Sequence, residues 1–145
     1  MSNNSYIKQF KIGDVYLMKF GGVDSEQKGW RPGIVFQNNI GNLYSPNIIA
    51  LPLTSSLKKL EQLTHVLLPA KKTGLLRDSM VLCENPECMS KDKIGQYLTT
   101  IPAEFMTKIA VASLLASSAI AFIDPELLLS TWETALTLNS YELTV

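Results

Sequence analysis

The chain has 145 residues, with 13 Lys and Arg against 13 Asp and Glu, and 46% of it is hydrophobic. That length carries one domain with a real core, and that apolar content rules out disorder over most of the chain. The charge balance excludes a non-specific coat for long polyanions, which would be basic, and two cysteines, Cys83 and Cys88, are too few for a secreted disulfide scaffold.

The first residues, Met1-Ser2-Asn3-Asn4-Ser5, are polar and lack the basic-then-apolar order of an export signal. A cytoplasmic chain with reduced thiols is therefore expected. Residues 14–20 alternate, with Val15 and Leu17 against Tyr16, Met18 and Phe20, which predicts a strand covered on both faces. Gly21-Gly22 ends it and opens a polar loop of about ten residues, long for a compact domain. Residues 25–32 read Ser-Glu-Gln-Lys-Gly-Trp-Arg-Pro, and a strand is predicted over 33–37. Pro32 has no N–H and biases Arg31 towards an extended backbone. Arg31 then stands at the mouth of that strand. There it can hold a phosphate through two parallel hydrogen bonds, or pair with Asp14, Asp24 or Glu26.

Residues 47–53 predict a further strand, and 38–46, with Gly41-Asn42 and Ser45-Pro46, a hairpin connection. Residues 55–60 read as a short helical turn capped by Ser55 or Ser56. Residues 65–68 and 80–84 read as strands, and 94–100 as a weaker one. Five or more short strands with Gly/Pro turns predict a small antiparallel barrel. Pro102 suits the first position of a helix, with Glu104 in its first turn. That helix is apolar nearly all round, so it is buried on more than one side. Its apolar run, residues 109–123, holds three serines and is shorter than the roughly 20 residues of a membrane span. It reads as a dimer interface. Asp124 caps a second helix begun by Pro125 and running to about residue 138. One histidine and two cysteines make no metal-ligand set, so no metal or cofactor is expected. His65 reads as structural, and no spacing brings Cys83 or Cys88 to it as a nucleophile.

Several motifs occur in order: Gly13-Asp14-Val15-Tyr16, the 25–32 loop, Gln37-Asn38 with Gly41-Asn42 and Tyr44-Ser45-Pro46, and a strand ending in Thr54. Thr64-His65-Val66 and Asp78-Ser79-Met80-Val81-Leu82 follow. Together they resemble the MazF/PemK family of toxin endoribonucleases, from about residue 12 to about residue 122. The resemblance implies an α+β, mainly β fold: a small SH3-like antiparallel barrel with C-terminal helices. It implies a homodimer that cuts single-stranded RNA at a short sequence without metal, by 2′-OH attack. The products would be a 2′,3′-cyclic phosphate (or 3′-phosphate) and a 5′-OH, and an antitoxin protein would hold the toxin inactive. It carries the family's catalytic arginine onto Arg31 and its threonine onto Thr54, which has a second reading as a turn cap. Ser55 and Asn85 are placed in the RNA contact set. Ser25, Glu26 and Gln27 either meet the RNA or solvate the loop.

Two departures stand out. A toxin-like domain over residues 1–123 carries an extension at 124–145 for which the family offers no role. And Glu84-Asn85-Pro86-Glu87-Cys88 stands where the family commonly has Glu-Gln-Ile-Arg-Thr, so Glu87 reverses a charge. The rival readings are a non-catalytic module of the same barrel acting on a protein target, and a catalytically degenerate member.

Overall fold

The computed structural model describes residues 9–21 and 29–140. Its strands are β1 (Asp14–Phe20), β2 (Gly29–Val35), β3 (Asn47–Thr54), β4 (His65–Leu68), β5 (Ser79–Leu82), β6 (Glu87–Ser90) and β7 (Ile94–Thr100). Its helices are α1 (Asn39–Tyr44), α2 (Ala70–Thr73), α3 (Ala103–Ser117) and α4 (Pro125–Ser140). The strands run β4-β5-β3-β2-β1-β7, with β6 also on β3, and every pairing is antiparallel. No ladder joins β4 to β7 among the described residues, so the sheet curls like a barrel without closing.

The alternation in β1 has the expected consequence. Val15 joins Ile34, Leu51, Leu53, Leu68 and Val81 in a core sealed by Phe105, Ile109 and Ala112 of α3. Tyr16, Met18 and Phe20 face the other way, onto Val35, Ile48, Ala50, Met89 and Ile94. Two apolar clusters therefore clamp one sheet, and burial on both faces makes its register hard to slip. Gly33 is required between them, because a Cβ there would fall 2.6 Å from the Met18 sulfur and from the Phe20 ring.

Several local expectations are corrected. Residues 38–46 are not a plain hairpin connection: Asn39–Tyr44 is a helix. The Asn38 side chain caps it by accepting the Gly41 N–H at 2.9 Å. The buried Asn42 amide donates to the Gln37 carbonyl at 2.9 Å and to Asn39 Oδ1 at 3.0 Å. Asn39 Oδ1 also accepts the Ile12 N–H at 2.9 Å. These asparagines bond the backbone and one another, which lets a polar segment pack inward.

Residues 55–60 form turns instead of a helix. The 55–64 connection is pinned by His65, whose Nδ1 meets the Lys59 carbonyl and whose Nε2 meets the Glu84 carboxylate, each at 2.8 Å. β2 begins at Gly29, ahead of the expected 33, because its ladder with β1 extends through Phe20↔Gly29. And β6, a segment with no apolar alternation, is a strand because the edge of β3 pairs it from Asn47↔Ser90 to Ala50↔Glu87.

Pro102 is the cap residue of α3, one position ahead of its expected place. The helix buries Phe105, Ile109 and Ala112 and leaves Val111, Leu114 and Leu115 exposed. It stops at Ser118, whose φ of 58° breaks the run, and a short 3-10 turn over Ala119–Phe122 follows. Asp124 Oδ1 accepts the Glu126 N–H at 3.0 Å, capping α4 as expected. α4 lies towards α1 and does not cover α3. Its Leu127, Leu129, Trp132 and Leu136 are exposed.

Candidate active site

Arg31 is the third residue of β2, inside the strand, opposite Met18 of β1. It is half-buried, and its Nη1 is buried with no hydrogen-bond partner among the described residues. Pairing with Asp14 does not occur: that carboxylate accepts the Lys11 N–H at 3.0 Å and the Thr100 hydroxyl at 2.8 Å. Asp24 and Glu26 lie outside the described residues. A buried guanidinium nitrogen without an acceptor is costly by itself and well matched to an anion with paired oxygens.

Thr54 ends β3. The β2–β3 register runs Gly33↔Pro52, Ile34↔Leu51, Val35↔Ala50. The ladder ends at Gly33↔Pro52, so Arg31 and Thr54 each lie two residues beyond its last rung. By strand alternation both belong to one face, that of Gly33, Val35, Ala50 and Pro52. Thr54 Oγ1 accepts the Ser56 N–H at 3.1 Å, so the turn-cap reading of this residue is realised. The bond uses a lone pair and leaves the hydroxyl proton free to donate, for instance to a phosphate oxygen.

Beside Thr54 opens a cavity of about 640 Å³, lined by Thr54 and Ser55, by Leu17, Pro32 and Leu53, and by Arg77 and Gln96 among others. Arg31 and Asn85 are not in its wall. Asn85 lies in the turn between β5 and β6, its N–H on the Leu82 carbonyl at 3.2 Å. The structure thus brings Ser55 to Thr54 and leaves Asn85 apart from them. Ser25, Glu26 and Gln27 lie outside the described residues. Arg77 and Gln96 are polar groups that sequence reasoning missed. For Arg77 a signal exists, since it directly precedes the Asp78-Ser79 pair, whose Asp78 is occupied by the Ala70 N–H at 2.8 Å. Nothing local distinguishes Gln96 from an ordinary exposed strand residue.

Thiol chemistry has no place here. Cys83 is buried, and burial pushes its thiol up to about 11, so little nucleophilic thiolate exists at neutral pH. Cys88 is exposed on β6, and both nitrogens of His65 are taken by Lys59 and Glu84. Among the described residues no three His, Cys, Asp or Glu side chains gather as a metal site. No helix there is long and apolar enough to cross a membrane.

Comparison with known proteins agrees with this fold. A family of PemK-like, MazF-like toxins of type II toxin-antitoxin systems matches residues 11–115. The chain belongs to that family. Endoribonuclease EndoA of Bacillus subtilis (strain 168) is 37% identical over 113 residues, spanning 77% of this chain and 97% of EndoA. Among solved structures, a mycobacterial endoribonuclease in complex with its cognate antitoxin is similar at a TM-score of 0.63 and 26% identity, over 74% of this chain and 94% of that one. MazF from Deinococcus radiodurans is similar at 0.65 and 22% identity, over 79% and 99%, which speaks to the fold alone. The family match stops at residue 115, so α4 lies beyond it.

Proposed function

We propose that this chain is an endoribonuclease toxin that cleaves single-stranded RNA and is neutralised by a cognate antitoxin. The observation that carries the reading is the buried Nη1 of Arg31, without a hydrogen-bond partner among the described residues, on the face that strand alternation gives both to it and to Thr54. The guanidinium stabilises negative charge as it grows on the phosphorane-like transition state. The Thr54 hydroxyl donates to a phosphate oxygen and fixes its orientation. Attack by the 2′-OH then leaves a 2′,3′-cyclic phosphate, or its 3′-phosphate hydrolysis product, and a 5′-OH. No metal or cofactor is used. Ser25, Glu26, Gln27, Ser55 and Asn85 contact the RNA, whose unpaired bases are open to side chains in a way that an A-form duplex is not.

The toxin works in the cytoplasm as a homodimer. Its domain spans residues 1–123, and residues 124–145 are a helical extension of it. Support for the dimer comes from Val111, Leu114 and Leu115, which α4 leaves exposed on α3. A second cavity of about 640 Å³ runs between α3 and residues 60–69 and includes Leu63, Val111 and Leu115 in its walls.

The test is incubation of the purified chain with a long RNA in EDTA, with both new ends mapped. Cleavage leaving cyclic or 3′-phosphate and 5′-OH ends is expected. Loss of cleavage in EDTA with recovery in Mg²⁺ or Mn²⁺ would overturn the mechanism. An absence of cleavage with and without metal would overturn the nuclease reading and favour the protein-binding module.

A further inference from the structure

Glu87 opens β6, and the structure gives its carboxylate a definite partner. Oε2 of Glu87 accepts the N–H of Gly21 at 2.9 Å, across 66 residues of sequence. Gly21 is the first residue past β1. The last three residues of β1 pair with the first three of β2: Phe20↔Gly29, Lys19↔Trp30 and Met18↔Arg31. Glu87 pairs with Ala50, and Ala50 with Val35, so the three share one face of the sheet. Alternation along β2 puts Arg31 on that same face. The carboxylate therefore ties the free end of the β1–β2 ladder to β6, at the end where Arg31 stands.

From this we propose that Glu87 is a positioning residue for Arg31: it anchors the end of β1 and so holds the rung that presents the guanidinium. The inference rests on the endoribonuclease reading. A strand end held only by its own ladder frays, and a small misplacement of a charge-stabilising group costs rate more than binding. Towards Gly21 the carboxylate acts as an acceptor of an N–H, and an amide oxygen at the same place can accept it too. An arginine at 87 would bring no acceptor to Gly21. The acidic side chain thus builds a contact within the fold.

Steady-state cleavage of a short RNA, alongside thermal unfolding and exchange of the Gly21 amide, tests this. Glu87→Ala should lower kcat about tenfold, the scale of one lost hydrogen bond, with KM within about twofold and a faster-exchanging Gly21 amide. Glu87→Gln should restore both. Gly21→Pro removes the donor itself and should reproduce the loss. Adding Glu87→Ala to it should cost less than the sum of the two single losses, since both changes break the Gly21 contact. The proposal is overturned by an unchanged kcat in Glu87→Ala, by a Glu87→Gln as slow as Glu87→Ala, or by additive losses in the double variant. A wild-type chain that cuts no RNA overturns the nuclease reading and this inference together. Wild-type cleavage with an indifferent Glu87→Ala overturns this inference alone.

Discussion

At the scale of single residues, Arg31 carries the charge that the reaction needs. Its Nη1 is buried without a hydrogen-bond partner among the described residues, a state that lowers stability and that a bound phosphate would relieve. Arg31→Ala should therefore reduce kcat by about 10²–10³, the usual scale for a lost electrostatic stabiliser, while leaving the melting temperature unchanged or higher. Arg31→Lys keeps the charge but not the fork, and should recover only part of the rate. A folded Arg31→Ala protein that cuts at the wild-type rate would refute the site. The cysteines give a second test. Cys83, buried and raised to about 11, should resist a thiol reagent at pH 7, while exposed Cys88 reacts. The same shift links stability to pH. The folded thiol keeps its proton up to about 11 where an unfolded one loses it near 9.0, so this group's stabilisation is full below about pH 9. It then falls by about 2–3 kcal/mol as pH rises towards 11. Unfolding titrations at pH 8, 9.5 and 11, compared with Cys83→Ala, read that slope.

Among the elements, α1 is the one whose stability rests on polar groups. Asn42 is 1% exposed and bonds Gln37 and Asn39. Asn42→Ala would strand those partners, and a loss of about 1–3 kcal/mol is expected in chemical denaturation. Cleavage by the folded fraction should be unaffected, because α1 does not line the cavity beside Thr54. Asn42→Ala with wild-type stability would show that the network is replaced by water. The connection between β3 and β4 is held differently, by the His65 ring bridging Lys59 and Glu84. That contact fastens the segment beginning at Ser55 to β4, so the single histidine serves the architecture around Thr54.

At the scale of the whole molecule, the open question is what covers α3. The chain places all of its Lys and Arg before residue 109 and gives the remainder only acidic charges, so the C-terminal part is both apolar and anionic. α4 leaves the outer face of α3 bare, and a patch of that kind in water promotes association. A chain truncated after Ile123 should stay dimeric in sedimentation, because the tail does not cover that face. A full-length protein monomeric at tens of micromolar would remove the dimer. The sequence by itself determined much of this protein. Alternation in β1 named both faces of the sheet, Asp124-Pro125 marked the start of α4, and the ordered motifs fixed the family and pointed to Arg31 and Thr54. These are local signals, carried by residue periodicity, capping chemistry and spacing. Tertiary structure alone decided the rest. β6 is a strand because β3 offers it an edge. Asn39 and Asn42 are interior because Ile12 and Gln37 bond them. Arg31 lacks a carboxylate partner among the described residues because the register sets Met18 across from it and leaves Asp14, bound to Lys11 and Thr100, four residues away along β1. Glu87 meets Gly21 because the sheet curls, bringing together residues 66 positions apart whose relation no local pattern encodes.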